Sequence, residues 1–524
     1  MKVSFLAGRA AFVSSRFIVI LCAIFPFGFS LVFNVFHFEN VNYGVFICLS
    51  VLTVGLVLIA TNSDSMSTSR LVLAASFVIV CGTLWRMFFM LILDPQPVSD
   101  FLGSFHAAKY DDFVSRFKYY SIAPYNAFYA ITIQKVMILF GDGVPVIWML
   151  NLVVNAVTGV GIVILSMVMV RSSVFALSSL LLYMFWPQLA VYSGVMTGEH
   201  LAMLFLVLFT LFWMLASVPK YDGWRKCVVV GGYSALAGLC AGMFNGYRPF
   251  FPVLMIALVM YELVVLARGC AGKKHDAVLW SLLEIGLKFA VFVIVVVGTW
   301  YGITRLIESK IGQFGGASVY GPAVRIYFGL NPESKGAYSA KVYKEIDDLI
   351  QLHGDEGAEA LMLDRLGRLI MEHTDELASI IWSKAIRNWG YDLGGLWWAT
   401  SYEKTYPEKY GSQIDLDRRA RVGSGWHRIE GVFGVFSSCF YTMLLLLGVI
   451  GCVSVLFRLS DSNVRLVFVI LVLLGFALLG LIVESQSRYK SVFAPYICLA
   501  AGYGCFQLGS LALITMKWFK EWRS

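Results

Sequence analysis

Apolar runs recur along this chain at the length a helix needs to cross a hydrocarbon core of about 30 Å, roughly 20 residues each. No other feature limits the fold as much. The runs are Phe17–Phe36, Tyr43–Ala60, Leu71–Leu93, Pro145–Val170, Val174–Ser193 and Leu201–Ala216, then Cys227–Asn245, Pro249–Ala267, Leu279–Tyr301, Val432–Phe457, Val464–Val483 and Val492–Met516. A helix satisfies its backbone polar groups within the segment, which lipid demands. The runs therefore predict an all-α polytopic membrane protein with about twelve transmembrane helices. Composition agrees: 59% of residues are hydrophobic, 14% are charged and the mean hydropathy is +0.74. That balance excludes a soluble globular chain.

The net charge of +8 is spread over short loops, so it gives no nucleic-acid footprint. The ten cysteines lie in or beside apolar runs, with no disulfide framework and no paired-thiol metal motif. The chain has no Asn-x-Ser/Thr acceptor, which suits a bacterial protein. Lys2, Arg9 and Arg16 precede a first run that is longer than a signal-peptide core and lacks a small-residue cleavage site. It reads as a retained span.

Loop charge sets the orientation. With the N-terminus in the cytoplasm, Arg70, Lys220, Arg225, Lys226, Arg268, Lys273, Lys274, Arg458, Arg465, Lys517, Lys520 and Arg523 face inward. The short outer loops then carry Arg248, Arg488 and Lys490, in line with the positive-inside rule. Tyr125–Phe140, with Gln134 and Lys135 in its middle, is too short to cross. Counting it as a span would reverse the charge bias, so it is expected to be a juxtamembrane helix.

Four regions follow. Residues 1–70 hold two N-terminal spans, and 71–301 a transmembrane core whose first outer loop is 94–144. Residues 302–431 form one mostly helical extracytoplasmic domain, and 432–524 the C-terminal spans. Within the outer domain, Ala340–Leu352, Glu356–Glu372 and Thr374–Trp389 carry helical patterning. Asp375 and Glu376 suit the start of the last of these.

Candidate chemistry collects on the outer face. Asp94 ends a span, and Asp100 follows Pro95 and Pro97, which forbid a continuing helix. Glu199 and His200 lie in one tight outer turn and Arg248 in another. Arg325, Asn331 and Glu333 lie in the large loop, and Glu484, Arg488, Tyr489 and Lys490 cap the last outer turn. Ionisable groups near membrane depth are costly, so they are candidate site residues by default. Glu262, Glu284 and Lys288 lie near inner span ends, where snorkelling would account for them. There is no phosphate-binding glycine loop, and His200 has no partner at metal-ligand spacing.

The motif Pro95-Gln96-Pro97-Val98-Ser99-Asp100-Phe101 after a span resembles the GT-C glycosyltransferase superfamily. The likeness leans toward its bacterial branch akin to protein O-mannosyltransferases and aminoarabinose transferases. Ala123-Pro124-Tyr125, Thr197-Gly198-Glu199, Tyr247-Arg248-Pro249, Leu330-Asn331-Pro332-Glu333-Ser334 and Gln486-Ser487-Arg488-Tyr489 agree in order. Gly198 departs from the family's adjacent Thr/Ser-Glu pair.

The resemblance implies a GT-C fold in a bacterial inner membrane, with the active site facing outward. A polyprenyl-phosphate sugar would be the donor and a glycan, lipid or protein the acceptor, with inversion at the anomeric carbon. Asp100 would be the catalytic base, with Asp94 and Glu199 as further catalytic carboxylates. Arg248, Arg488, Lys490, Tyr125, Lys109, Arg325, Asn331 and Glu333 would bind substrate. Tyr110, Tyr119, Tyr120, Tyr320, Trp397 and Trp398 are candidates for stacking on sugar faces. Oligosaccharyltransferase relatives use a divalent cation, so the resemblance leaves one open as a cofactor here, although the sequence has no dense carboxylate cluster for it. Two other readings compete: a polysaccharide polymerase or ligase, and a lipid-linked sugar flippase.

Overall fold

The computed structural model describes residues 66–217, 223–270, 275–312, 321–372, 374–400, 413–457 and 463–523. Among them every regular element is helical. The expected spans Phe17–Phe36 and Tyr43–Ala60 lie outside the described residues, as does Tyr320.

Helix α1 spans Thr68–Leu93, with Ser67 capping its first turn, and stops where Asp94 turns left-handed at φ 46°. Pro95 and Pro97 supply no backbone donors, so a separate helix, α2 (Ser99–Tyr110), begins only after them. A short connection leads through α3 (Phe117–Ile122) to α4 (Pro124–Phe140), where Pro124 fills the first helical position. Next come α5 (Val144–Val170), α6 (Ser173–Phe185), α7 (Pro187–Tyr192), α8 (Glu199–Ala216), α9 (Gly223–Tyr247), α10 (Phe251–Cys270) and α11 (His275–Ile311). The expected single span Val174–Ser193 is thus two helices. Pro187 has no N–H to continue α6, and the chain bends at Trp186.

Helices α12 (Pro322–Leu330), α13 (Ala340–Glu372) and α14 (Thr374–Ala385) build the mostly helical region expected outside the bundle. It has its own small core of Val324, Phe328, Val342, Ile346, Met362, Leu366 and Ile380. Gly354, at φ 71°, breaks α13 where the sequence patterning also breaks. A π turn at Ile386–Gly390 leads to α15 (Gly395–Thr400), and α16 (Gln413–Phe457), α17 (Leu466–Ile482) and α18 (Ala494–Arg523) complete the chain.

Eight of these segments are long and apolar enough to cross a membrane: α1, α5, α8, α9, α10, α11, Glu430–Phe457 of α16, and Ser487–Thr515 leading into α18. Helices α6 and α17 are apolar but shorter. The protein is an all-α polytopic membrane protein. One continuous core runs through the bundle, from Phe101 and Phe128 to Phe493 and Tyr496.

The snorkelling expected of Glu262 and Lys288 does not occur. Their side chains are buried and pair at 2.7 Å, with the Trp213 indole closing over them. Only Glu284, paired with Lys226 at 2.6 Å, stays partly exposed.

Candidate active site

Four helix ends meet at one end of the bundle: the C-terminus of α1, the N-terminus of α8, the C-terminus of α9 and the turn that begins at Ser487. The centre is Glu199, fully buried as the first residue of α8. A carboxylate is favoured there by the helix dipole and the free N–H groups of the first turn. Its oxygens are nonetheless engaged by side chains. Arg248 donates Nη2–H to Oε1 in a buried ion pair, while the Tyr192 and Thr197 hydroxyls donate to Oε2.

Arg248 spreads its guanidinium over the Tyr125 ring at 5.1 Å and the Tyr489 ring at 5.8 Å. Arg488 lies over Trp398 at 4.3 Å, Phe101 at 4.9 Å and Tyr489 at 5.6 Å, and donates Nε–H to Gln486 Oε1 at 2.7 Å. Each guanidinium is buried yet has donors to spare. Arg248 Nε and Arg488 Nη1 have no hydrogen-bond partner among the described residues. Such donors are costly when unmade, and the energy of a buried guanidinium favours an acceptor beside them.

Asp100 is exposed, in the first turn of α2, next to the Phe101 ring that carries Arg488. Its charge reaches Arg488, Tyr119 and Tyr125. Burial is the main force raising both phenols, and Asp100 pushes each further; Arg488 opposes at Tyr119 and Arg248 at Tyr125. The fold thus gathers Asp100, Glu199, Arg248, Arg488 and Tyr125.

The other candidates stand apart. Asp94 accepts from its own loop, Gln96 Nε2 at 3.0 Å, and its N–H returns to Met90 O, so it closes α1. Lys490 is buried beneath the cluster; it donates to Tyr391 O and to the Tyr441 hydroxyl at 3.1 Å, and sits near Asp392. Lys109 lies at the far end of α2 from Asp100 and pairs with Asp142 at 3.6 Å. Glu333 pairs with Lys341 on the surface, while buried Asn331 caps its own turn by accepting from the Ser334 N–H. Arg325 donates to Ile122 O at 3.3 Å, and its charge reaches Tyr125. Trp398 and Tyr119 border the cluster, whereas Tyr110 and Trp397 are exposed.

Thr197 and Gln486 entered the sequence reading only within motifs; Tyr192 was not among the expected site residues, and neither was Arg86, a fully buried guanidinium inside α1. One signal was available: Arg86 is the lone charge in the run Leu71–Leu93. Among the described residues no three His, Cys, Asp or Glu side chains meet.

No family model and no curated protein matches the chain. Among solved structures it is similar to an archaeal oligosaccharyltransferase, AglB from Archaeoglobus fulgidus, in complex with an inhibitory peptide and a dolichol-phosphate. The identity is 12% and the TM-score 0.37, over 81% of this chain and 50% of that one. The chain thus spans about half the length of that protein.

Proposed function

We propose that the chain is an integral-membrane glycosyltransferase of the GT-C kind. It moves a sugar from a polyprenyl-phosphate carrier to a hydroxyl of a glycan, lipid or protein, at the outer face of a bacterial cytoplasmic membrane. The observation that carries this reading is the pair of buried arginines with unspent donors beside an exposed carboxylate.

Charge supports the donor class. Glu199 pairs with Arg248, and Arg488, which the Asp100 charge reaches but no described carboxylate pairs with, keeps a donor for an anion. A sugar-phosphate-lipid diester carries a single negative charge, whereas a diphosphate carries more.

Asp100 takes the proton of the acceptor hydroxyl as its oxygen bonds to the anomeric carbon. The bond from that carbon to the phosphate oxygen breaks, its electron pair leaves with the phosphate, and configuration inverts. A second negative charge then develops on the lipid phosphate, where Arg488 Nη1–H and Arg248 Nε–H can meet it without reorganising. Arg325 and Tyr125 extend the polar wall beside them.

The test is transfer in proteoliposomes from a labelled polyprenyl-phosphate sugar. Wild type is expected to release polyprenyl phosphate, and Asp100→Asn to lower the rate by about 10²–10⁴-fold, the usual worth of a positioned base. Near-normal transfer by that variant removes Asp100 from the mechanism. Passage of the intact lipid across the bilayer without loss of sugar favours a flippase and overturns the reading.

A further inference from the structure

The connection from Trp186 to Gly198, which delivers Tyr192, Thr197 and Glu199 to the centre, is buried along its whole length. Most of it is not regular helix, so its backbone carbonyls need partners that no water supplies. Side chains from the spans provide them. Asn151 Nδ2 donates to Ser193 O at 2.9 Å and Val195 O at 3.1 Å, and His200 Nε2 lies 3.2 Å from Tyr192 O.

The break at Pro187 is the weakest point, because a residue without an N–H leaves the carbonyl four positions earlier unserved. That carbonyl is Tyr183 O, and Arg86 Nη2 donates to it at 2.7 Å. Arg86 Nη1 also donates to Ser193 Oγ at 2.6 Å, Asn155 Oδ1 at 3.2 Å and Leu189 O at 3.4 Å. The guanidinium lies over the Tyr183 ring at 5.0 Å and pairs with no carboxylate among the described residues. Its counter-charge is the negative C-terminal end of α6.

From Arg86 the bonding continues toward the site. Asn155 Oδ1 accepts from Arg86 and from the Tyr183 hydroxyl, so its amide faces Asn151 O at 2.7 Å and His200 Nδ1 at 3.3 Å. His200 Nδ1 must then accept, which leaves the proton on Nε2 to bond Tyr192 O. His200 is the neighbour of Glu199, and Tyr192 is a donor to it.

We propose that Arg86 is a positioning residue. By closing the helix break at Pro187 and orienting Asn155 and His200, it fixes the loop that sets Tyr192, Thr197 and Glu199. Only the activity arm of the test rests on the glycosyltransferase reading.

The first arm needs no substrate. In full-length protein carrying Thr197→Cys, maleimide labelling of the introduced thiol is followed by mass spectrometry beside native Cys452, which is fully buried in α16. Arg86→Met is expected to speed labelling of the introduced thiol by about tenfold, by freeing a loop whose carbonyls lose their partners, and to leave Cys452 unchanged. Arg86→Lys keeps the charge but cannot span four acceptors. It is expected to fall between, and it decides the matter where Arg86→Met does not accumulate. An unchanged rate at the introduced thiol, or equal acceleration there and at Cys452, overturns the proposal.

The second arm is a double-mutant cycle on transfer. Arg86→Lys is expected to lower kcat/KM in the Glu199 protein and to cost under about twofold once Glu199→Gln is present, as for residues acting through one group. Equal costs in both backgrounds overturn action through Glu199. A wild type that transfers no sugar removes the functional reading and leaves the labelling arm to decide.

Discussion

Two carboxylate–cation pairs are buried in this bundle, one at each end, and they differ in what they leave over. Glu262 accepts from Lys288 at 2.7 Å and from the Trp213 indole N–H at 2.8 Å, while Lys288 also bonds the Ser217 hydroxyl at 2.9 Å and lies over the Trp213 ring. Neither side chain appears among the buried polar groups that lack a partner. At the other end Glu199 is equally saturated, but Arg248 and its neighbour Arg488 keep donors that nothing described accepts. A satisfied pair holds helices α8, α10 and α11 together. An unsatisfied one keeps donors that an acceptor brought beside them would bond.

The contrast breaks most sharply in kinetics. Arg488→Met is expected to lower sugar transfer by about 10²–10³-fold, the typical loss of one preorganised donor to a developing charge. Glu262→Leu combined with Lys288→Met is expected to leave transfer within about threefold, since a buried pair replaced whole by apolar groups is often neutral. Transfer rates for the two proteins in the same proteoliposomes decide it, and similar losses would dissolve the distinction.

Stability should run the opposite way. Glu262→Ala alone strands the Lys288 ammonium and is expected to cost about 3–5 kcal/mol. In Arg488→Met the lost groups were not all paired to begin with, so a cost of about 1 kcal/mol or less is expected. Denaturation of both variants in detergent compares them. Ligand linkage sharpens the point: polyprenyl phosphate at about 100 times its Kd should stabilise wild type by about 2.7 kcal/mol. It should do so far less in Arg488→Met.

Much of this was legible in the sequence, and the reasons are physical. Span length, the Pro95 and Pro97 stop, and the short helix at Tyr125 follow from local rules of backbone and lipid, and α1, α2 and α4 obey them. Glu199 and Arg248 could be picked as candidates because charge at a span end is conspicuous. Their pairing could not, because it joins turns 49 residues apart. Lys490 looks equivalent to Arg488 in sequence. Yet the turn Ser487–Phe493 sends Arg488 to the aromatic wall of Phe101 and Trp398 and Lys490 down to Tyr441. Side chains two apart in such a turn face different ways, and only tertiary packing tells which way is the site. Arg86 was overlooked because one arginine hardly alters the hydropathy of its run. Gly194 shows the same limit: a Cβ there would come within 2.6 Å of Pro95, and this seats the Asp94 loop against the Glu199 loop.

A third buried cation offers the finest test of the comparison. Lys384 of α14 is fully buried and bonds two backbone carbonyls, Gly329 O and Val483 O, each at 2.6 Å, which ties the region of α12 to α14 to the bundle. Its hydrogen-bond partners carry dipoles rather than a full charge, and the nearby charge of Glu484 offsets only part of the desolvation. Burial pushes the Lys384 ammonium down from 10.5 to about 7, and Arg387 adds to the fall. Between those values the unfolded chain binds a proton that the folded chain lacks. Stability should therefore rise with pH from about 7 toward 10.5, and the penalty should be complete below about 7. The slope is at most about 1.4 kcal/mol per pH unit, the linkage of a single proton. Lys384→Met removes the proton and should flatten that part of the curve. Melting temperatures across pH 7 to 10 for wild type and Lys384→Met provide the measurement. An equal slope in Lys384→Met would show that the carbonyls hold the ammonium as firmly as a carboxylate would.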